Sequence, residues 1–486
     1  MNDRSLKILF LAAEAVPFAK VGGLADVAGS LPKALSALGH DVRLMIPRYG
    51  SISSDEFKME KIGTPFTIPI GPDQETIHLI KSKLNNEVPT YLIWNEHYFY
   101  SRDQVYGFDD DAQRFALFGK AALTALEKLD WQPDVIHAND WHTGLVPTWL
   151  DLYGQENSFF NEIATLFTIH NLTYQGIAGR LILTFAHMDD VEHLNVEQPG
   201  DVNWMAQAIA HSDLINTVSE QYAEEIMTPE IGGELAPLLN RREDRVFGVL
   251  NGLDYAQWDP ETDTRISHRF DVDSLDRRAA NKTVLQQQAR LPTRSDAPLV
   301  GMVSRLDTVK GIDLMAPVLE WLLEEENAQF VVLGTGMEAY HEMFQRIQER
   351  FPERMHAFLK FDEALAHRIY AGADMFLMPS RVEPCGLGQM IAMRYGCVPL
   401  VRSTGGLADT VIDYTSNKDE GNGFTFSDYS VDACEDMLER ALEVYREEKT
   451  AWRSIQERGM KRDSSWTASA KKYVELYKHA TKLHQA

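Results

Sequence analysis

Residues 6–46, LKILFLAAEAVPFAKVGGLADVAGSLPKALSALGHDVRLMI, decide the fold. Leu6–Ala13 is an apolar run of strand length. It leads to the glycine pair Gly22-Gly23. From there the apolar positions Leu24, Val27, Ala28, Leu31, Leu35 and Leu38 fall on one face of a helix. Pro32 sits inside that helix and should kink it. Gly39 stops it, and Val42–Ile46 is the next strand. The unit is strand, glycine loop, helix, strand. The same alternation returns at Asp134–Ala138, Thr165–Ile169, Asp213–Val218 and Val246–Leu250. Strands alternating with helical patterns predict an α/β fold: a parallel sheet with helices on both faces.

A second series follows. Its strands are Leu299–Val303, Phe330–Leu333, Met375–Met378 and Val398–Val401, again with helices between them. The polar stretch Asn251–Arg294 separates the two series and is turn-rich over Asp254–Asp263. The domain boundary is therefore placed at Asn251, giving domains 1–250 and 251–465 and a final helix. At roughly 100–200 residues per domain, 486 residues fit this division.

Bulk chemistry narrows the functions. The formal net charge is -25, which is wrong for nucleic acid or an anionic membrane surface, both of which call for Lys/Arg stripes. A phosphate substrate would have to be held by a local cluster of cations. A neutral polymer would not be repelled. The three cysteines Cys385, Cys397 and Cys434 form no Cys-x-x-Cys pair, so a reducing compartment and no zinc knuckle are expected. With no signal-peptide pattern and no run of ~18 apolar residues, a cytoplasmic protein is the expectation.

The pentapeptide Gly-Gly-Leu-Ala-Asp occurs twice, at 22–26 and 405–409, each time where a loop enters a helix. Chance is the plain reading, since all five residue types are common. The shared context favours a ligand: glycines allow close approach, and a helix start offers amide donors and a positive dipole end. Lys20 adds a cation beside the first copy, although a surface Lys before a tight turn explains it equally well. The spacing is not that of a P-loop. In Ser304-Arg305-Leu-Asp-Thr-Val-Lys310-Gly311, both cations lie in a strand-to-helix loop, where they could meet a departing diphosphate; a solvated basic turn is the alternative. Arg381-Val-Glu383-Pro-Cys385-Gly386-Leu387 places a carboxylate and backbone donors at another strand end. Cys385 reads as a small buried residue there. His170-Asn171 and His137-Ala-Asn-Asp140-Trp-His142 also follow strands; Asp140 and His142 could equally be helix caps and packing groups. The pairs Asp109/Asp111 and Asp271/Asp273 read as loop charge, not metal ligands. Gly334-Thr-Gly336 lacks the third glycine of a dinucleotide fingerprint.

Together, Lys20–Val27, His137–Leu145, Phe167–Gly176, Asn251-Gly-Leu-Asp254, Ser304–Gly311, Pro379–Leu387 and Ser403–Val411 resemble the bacterial glycogen synthase and plant starch synthase family. The resemblance runs from Lys7 to about Tyr477. It implies a GT-B fold, two Rossmann-like doubly wound domains with a deep interdomain cleft. The first would take the glucan acceptor, with helix 466–486 packing back on it, and the second the nucleotide-sugar donor. It implies a retaining glucosyltransferase moving glucose from ADP-glucose to an α-1,4-glucan, with no metal and no cofactor. By carry-over, Lys20, Arg305 and Lys310 contact the phosphates. His170, Asn251 and Glu383 surround the glucose, with Glu383, Lys310, Arg305 and His170 as the catalytic set. Gly22, Gly23, Asp26, Asp140, Asn171, Cys385, Gly386, Leu387, Gly405, Gly406 and Tyr100 complete the substrate site. Phe361 stands where many members carry a base-stacking Tyr. Val21 and Gly388 each replace a Thr common in the family.

No enzyme nucleophile is evident, so retention is expected by same-face attack through an oxocarbenium-like state. The rivals are another GT-B enzyme with a UDP-glucose donor or a small-sugar acceptor, a tandem-Rossmann oxidoreductase, and a two-lobed sugar-binding protein.

Overall fold

The computed structural model describes residues 4–188 and 201–485. They divide into two compact units. The first takes the described residues of 4–218, 223–252 and 466–485, and the second residues 219–222 and 253–465. Asn251 thus falls in the first unit.

Among the described residues, the first unit carries strands β1 (Lys7–Leu11), β2 (Asp41–Pro47), β3 (Glu60–Ile70), β4 (Asp73–Leu84), β5 (Val88–Trp94), β6 (Val135–Asn139), β7 (Ala164–Ile169), β8 (Ile177–Gly179), β9 (Asp201–Asn203), β10 (Leu214–Thr217) and β11 (Val246–Gly248). Nine of them form one sheet in the order β11-β10-β7-β6-β1-β2-β5-β4-β3. From β11 to β5 every neighbour is parallel. At one edge of this parallel sheet, β3 and β4 add an antiparallel extension that the sequence reading did not include. Two prolines, Pro65 and Pro69, lie in β3. As the edge strand it can spare their missing amides. The short pair β8–β9 stands apart.

The helix Gly23–Ala37 runs through Pro32 without a break, and Gly39, at φ +93°, ends it. The terminal helix Trp466–His484 packs against Gly23–Ala37 and β7, burying Tyr473, Tyr477 and Ala480 in the first unit's core. A buried polar chain fixes it there. The Tyr477 hydroxyl lies 2.8 Å from His137 Nδ1, and Asn216 Nδ2 donates to the Tyr473 hydroxyl at 3.0 Å.

The second unit holds β12 (Leu299–Val303), β13 (Gln329–Leu333), β14 (Met355–Phe358), β15 (Met375–Met378), β16 (Val398–Arg402) and β17 (Phe424–Phe426) in the order β14-β13-β12-β15-β16-β17. All five pairings are parallel. The central strands are buried on both faces, as a sheet covered by helices requires. The polar stretch Asn251–Arg294, turn-rich over Asp254–Asp263, also contains the helix Arg278–Gln288, which packs on Glu363–Gly372.

Candidate active site

Ligands of open α/β sheets bind at the carboxyl ends of the strands, and the sequence-predicted residues gather there in each unit. In the second unit, β12 feeds a loop in which the Asp307 carboxylate accepts from the Lys310 amide at 3.0 Å and so sets the turn. Gly311 follows at φ +75°; a Cβ there would stand 2.0 Å from the Pro379 carbonyl oxygen. The Arg381 amide donates to the Val309 carbonyl at 2.9 Å. Two strand-end loops are thereby locked together through their backbones.

That lock brings two side chains into contact. Lys310 Nζ donates to both Glu383 carboxylate oxygens, at 2.8 and 2.7 Å, and Ser380 Oγ donates to the second at 2.9 Å. Glu383 is 6% exposed. A carboxylate that deep needs a cation and hydrogen bonds, and here it has both. The Lys310 ammonium carries three N–H groups. Two face Glu383, and among the described residues the third has no protein acceptor. Arg305 is different: its guanidinium is 68% exposed and, among the described residues, pairs only with Asp307, at 3.5 Å.

The third loop closes over the second. A Cβ on Gly405 or Gly406 would lie 2.1 Å from the Glu383 carbonyl oxygen or 1.9 Å from that of Cys385. The Gly406 amide donates to the Glu383 carbonyl at 3.1 Å. Gln389, wholly buried, donates its side-chain amide to the carbonyls of Cys385 and Gly386, each at 3.0 Å, and to Thr410 Oγ1 at 3.1 Å. Gly386 itself sits at φ +69°. Cys385 is buried. Phe361 stands 87% exposed between β14 and the next helix, a ring free to stack.

The first unit gathers a different chemistry. Asp140 follows β6 at φ +54° and accepts from the His170 amide at 2.8 Å. Burial pushes its carboxyl up to about 7, against the pull of the His170 and Asn171 amides. Asn139 Nδ2 donates to the Leu11 and His137 carbonyls, which turns Asn139 Oδ1 toward His170 Nε2 at 2.9 Å. His170 is thus the Nε2–H tautomer, and burial lowers its pKa to about 3. It stays neutral. Asn171 Oδ1 accepts from the Thr173 amide. Asn251 Oδ1 is buried with no partner among the described residues. His137 is a core group on Thr168 and Tyr477, and His142 stacks on Tyr106 at 4.6 Å. In the glycine loop, Lys20 Nζ lies 2.7 Å from Asp26 Oδ1, both partly exposed. Tyr100 is half-exposed, with the Arg48 guanidinium 5.1 Å from its ring centre.

Sequence reasoning passed over four residues: Glu14, Ser380, Gln389 and Thr410. A signal existed for Glu14, a charge set inside the apolar run that follows β1. The Asp109–Asp111 and Asp271–Asp273 loops spend carboxylates on their own turns. Asp111 accepts from the Gly107 amide at 2.8 Å, and Asp271 from Ser274. Among the described residues no three His, Cys, Asp or Glu side chains are grouped to hold a metal ion. No described helix is long and apolar enough to cross a membrane.

Comparison with known proteins follows the same division. Residues 7–241 match the starch synthase catalytic domain model, and residues 285–458 match that of glycosyl transferases group 1. Two Rossmann-like α/β units with these matches define a GT-B glycosyltransferase. The chain is 46% identical to the glycogen synthase of Moorella thermoacetica over 100% of this chain and 99% of that one. It superposes on the catalytic domain of starch synthase IV from Arabidopsis thaliana, solved with ADP and acarbose, with a TM-score of 0.89. That match has 36% identity and covers 99% of this chain and 100% of that one. Sucrose-phosphate synthase from Thermosynechococcus elongatus shares only the fold, at TM-score 0.59 and 18% identity over 98% and 99% of the two chains. The chain belongs to the bacterial glycogen synthase and plant starch synthase family.

Proposed function

We propose that this glycosyltransferase moves glucose from ADP-glucose to the non-reducing end of an α-1,4-glucan with retention of configuration. The observation that carries the reading is the Lys310–Glu383 pair, fixed by backbone contacts at the carboxyl edge of the second sheet. A buried carboxylate suits sugar hydroxyls. The ammonium beside it suits the phosphate that leaves as the glycosidic bond breaks, where preorganised charge has the most effect. Arg305 adds a second cation, Lys20 a third. The second unit is then the donor domain and the first the acceptor domain. Phe361 stacks on adenine, and the turn at Gly386-Leu387 and the Gly405-Gly406 loop line the donor. ADP in the Arabidopsis relative supports this choice of base.

His170, held neutral with its Nε2–H spent on Asn139, accepts from a glucose hydroxyl at Nδ1 without bringing charge to an oxocarbenium-like centre. Asn251 Oδ1 is a ready acceptor for a second hydroxyl. Asp26, Asp140, Asn171 and Tyr100 face the acceptor side. No side chain is assigned as nucleophile; the departing phosphate takes the acceptor's proton as the new bond forms on the same face. Free, buried Cys397 and Cys434 fit a reducing cytoplasm.

The test is direct. Incubation with ADP-glucose and a short maltodextrin should elongate the glucan and release ADP in equal amounts, and UDP-glucose should serve less well. Nucleotide release without elongation, or none from either donor, contradicts the reading.

A further inference from the structure

Glu14 lies just beyond β1 and is 2% exposed, among the apolar residues Ala12, Ala13, Ala15 and Phe18. Burying a carboxylate there is costly without a partner, and among the described residues no Lys, Arg or His pairs with it. Its partners are amides of the glycine loop. The Val21 amide donates to Oε2, and the Gly22 amide lies 3.0 Å from Oε2 and 3.2 Å from Oε1. The nearby Tyr106 hydroxyl also favours its charged form. Burial pushes its carboxyl up, and these three groups oppose that.

Besides the Lys20–Asp26 ion pair at 2.7 Å, the loop it holds has little else to define it. Lys20, Val21, Gly22 and Gly23 are all exposed, so packing does not set their conformation. The carboxylate occupies the amide concavity in which an anion would otherwise sit. Those two donors are therefore not the ones that meet a substrate phosphate. What the loop presents outward is the Lys20 ammonium.

We propose that Glu14 is a positioning residue, a resident anion that moulds the Val21–Gly22 turn so that Lys20 is presented to the donor's diphosphate. This rests on the function proposed above.

Glu14→Gln keeps the size but sets an NH2 group against one of the two amides. Two readouts separate the proposal from a merely structural role. In a double-mutant cycle with Lys20→Ala, Glu14→Gln alone should raise the KM for ADP-glucose about tenfold. It should leave the KM for maltodextrin within about twofold. In the Lys20→Ala background it should add nothing further. Hydrogen exchange should also quicken in the peptide containing Val21 and Gly22. If Glu14→Gln does not fold, Glu14→Asp, which keeps the charge but withdraws it by one methylene, should show the same split. Wild-type kinetics in a folded variant, losses that multiply in the double variant, or unchanged exchange would each overturn the role. Should the wild type transfer no glucose, the function reading fails by itself, and the exchange measurement still decides Glu14.

Discussion

The two Gly-Gly-Leu-Ala-Asp copies are identical in sequence and opposite in circumstance. At 405–409 the glycines are demanded by neighbouring backbone, since the Glu383 and Cys385 carbonyls occupy the space of any side chain. At 22–26, among the described residues, a Cβ on Gly22 would meet only Glu14 Oε1, at 3.3 Å, and one on Gly23 would meet nothing within 4 Å. The acid beside each loop differs likewise. Glu383 is held by an ammonium, whereas Glu14 and Asp140 are held by amides. A repeated motif thus fixes a shape, a loop entering a helix. The strand-end residues packed beneath it decide whether the loop serves as a wall or as an open rim.

The largest effect expected is on the walled side. Lys310→Ala leaves Glu383 buried without its cation and, in the proposed reaction, removes charge from the leaving group. Its kcat should fall on the order of 10²–10³, with a clear loss of Tm in thermal denaturation. Gly406→Ala should follow. Its methyl cannot fit beside the Cys385 carbonyl without moving the Glu383 loop, and displacements near 1 Å can cost about 10²-fold; steady-state kinetics with ADP-glucose reads this. Gly23→Ala is the counterpart on the open rim. Tm should hold or rise slightly, because the native backbone accepts Ala, while the KM for ADP-glucose rises several-fold. A fall in Tm matching that of Gly406→Ala would erase the distinction between the two copies.

The smallest effect concerns the amide-held acids. Asp140 titrates at about 7 in the fold against about 3.9 unfolded. Between these values the folded state binds the extra proton, so stability falls as pH rises from about 4 to about 7 and is level above. His170 and His142, depressed to about 3, act in the opposite direction between about 3 and 6.5, equally in wild type and variant. The Tm of Asp140→Asn should therefore gain on the wild type as pH rises through that window, and thermal denaturation at several pH values checks it. A difference independent of pH would show that Asp140 is not held protonated.

Much of this was legible in the sequence because it lay in strong local patterns. Both strand series, the helix after Gly23 and the loops at 304–311 and 379–387 follow from apolar runs ended by glycine or charge. The edge hairpin β3–β4 went unread. Its burial alternates weakly, and two prolines mask the strand period. The helix Arg278–Gln288 was hidden by polar residues that turn out to be buried and bonded, such as Lys282, whose Nζ donates to the Ala297 carbonyl at 2.7 Å. In the site, Lys310 and Glu383 were each named, but their pairing across 73 residues is tertiary information. Glu14 and Gln389 were missed for the same reason, since their work is on backbone brought close only by folding.

The central claim is that a carboxylate and an ammonium at the end of the second sheet carry glucosyl transfer. The most direct test is the initial rate of transfer from ADP-glucose to a maltodextrin by Glu383→Gln, with folding verified by circular dichroism. The account predicts a folded protein slowed on the order of 10²–10³, with no glycosyl-enzyme detectable by mass spectrometry. A rate near wild type, or a trapped covalent adduct, would contradict it.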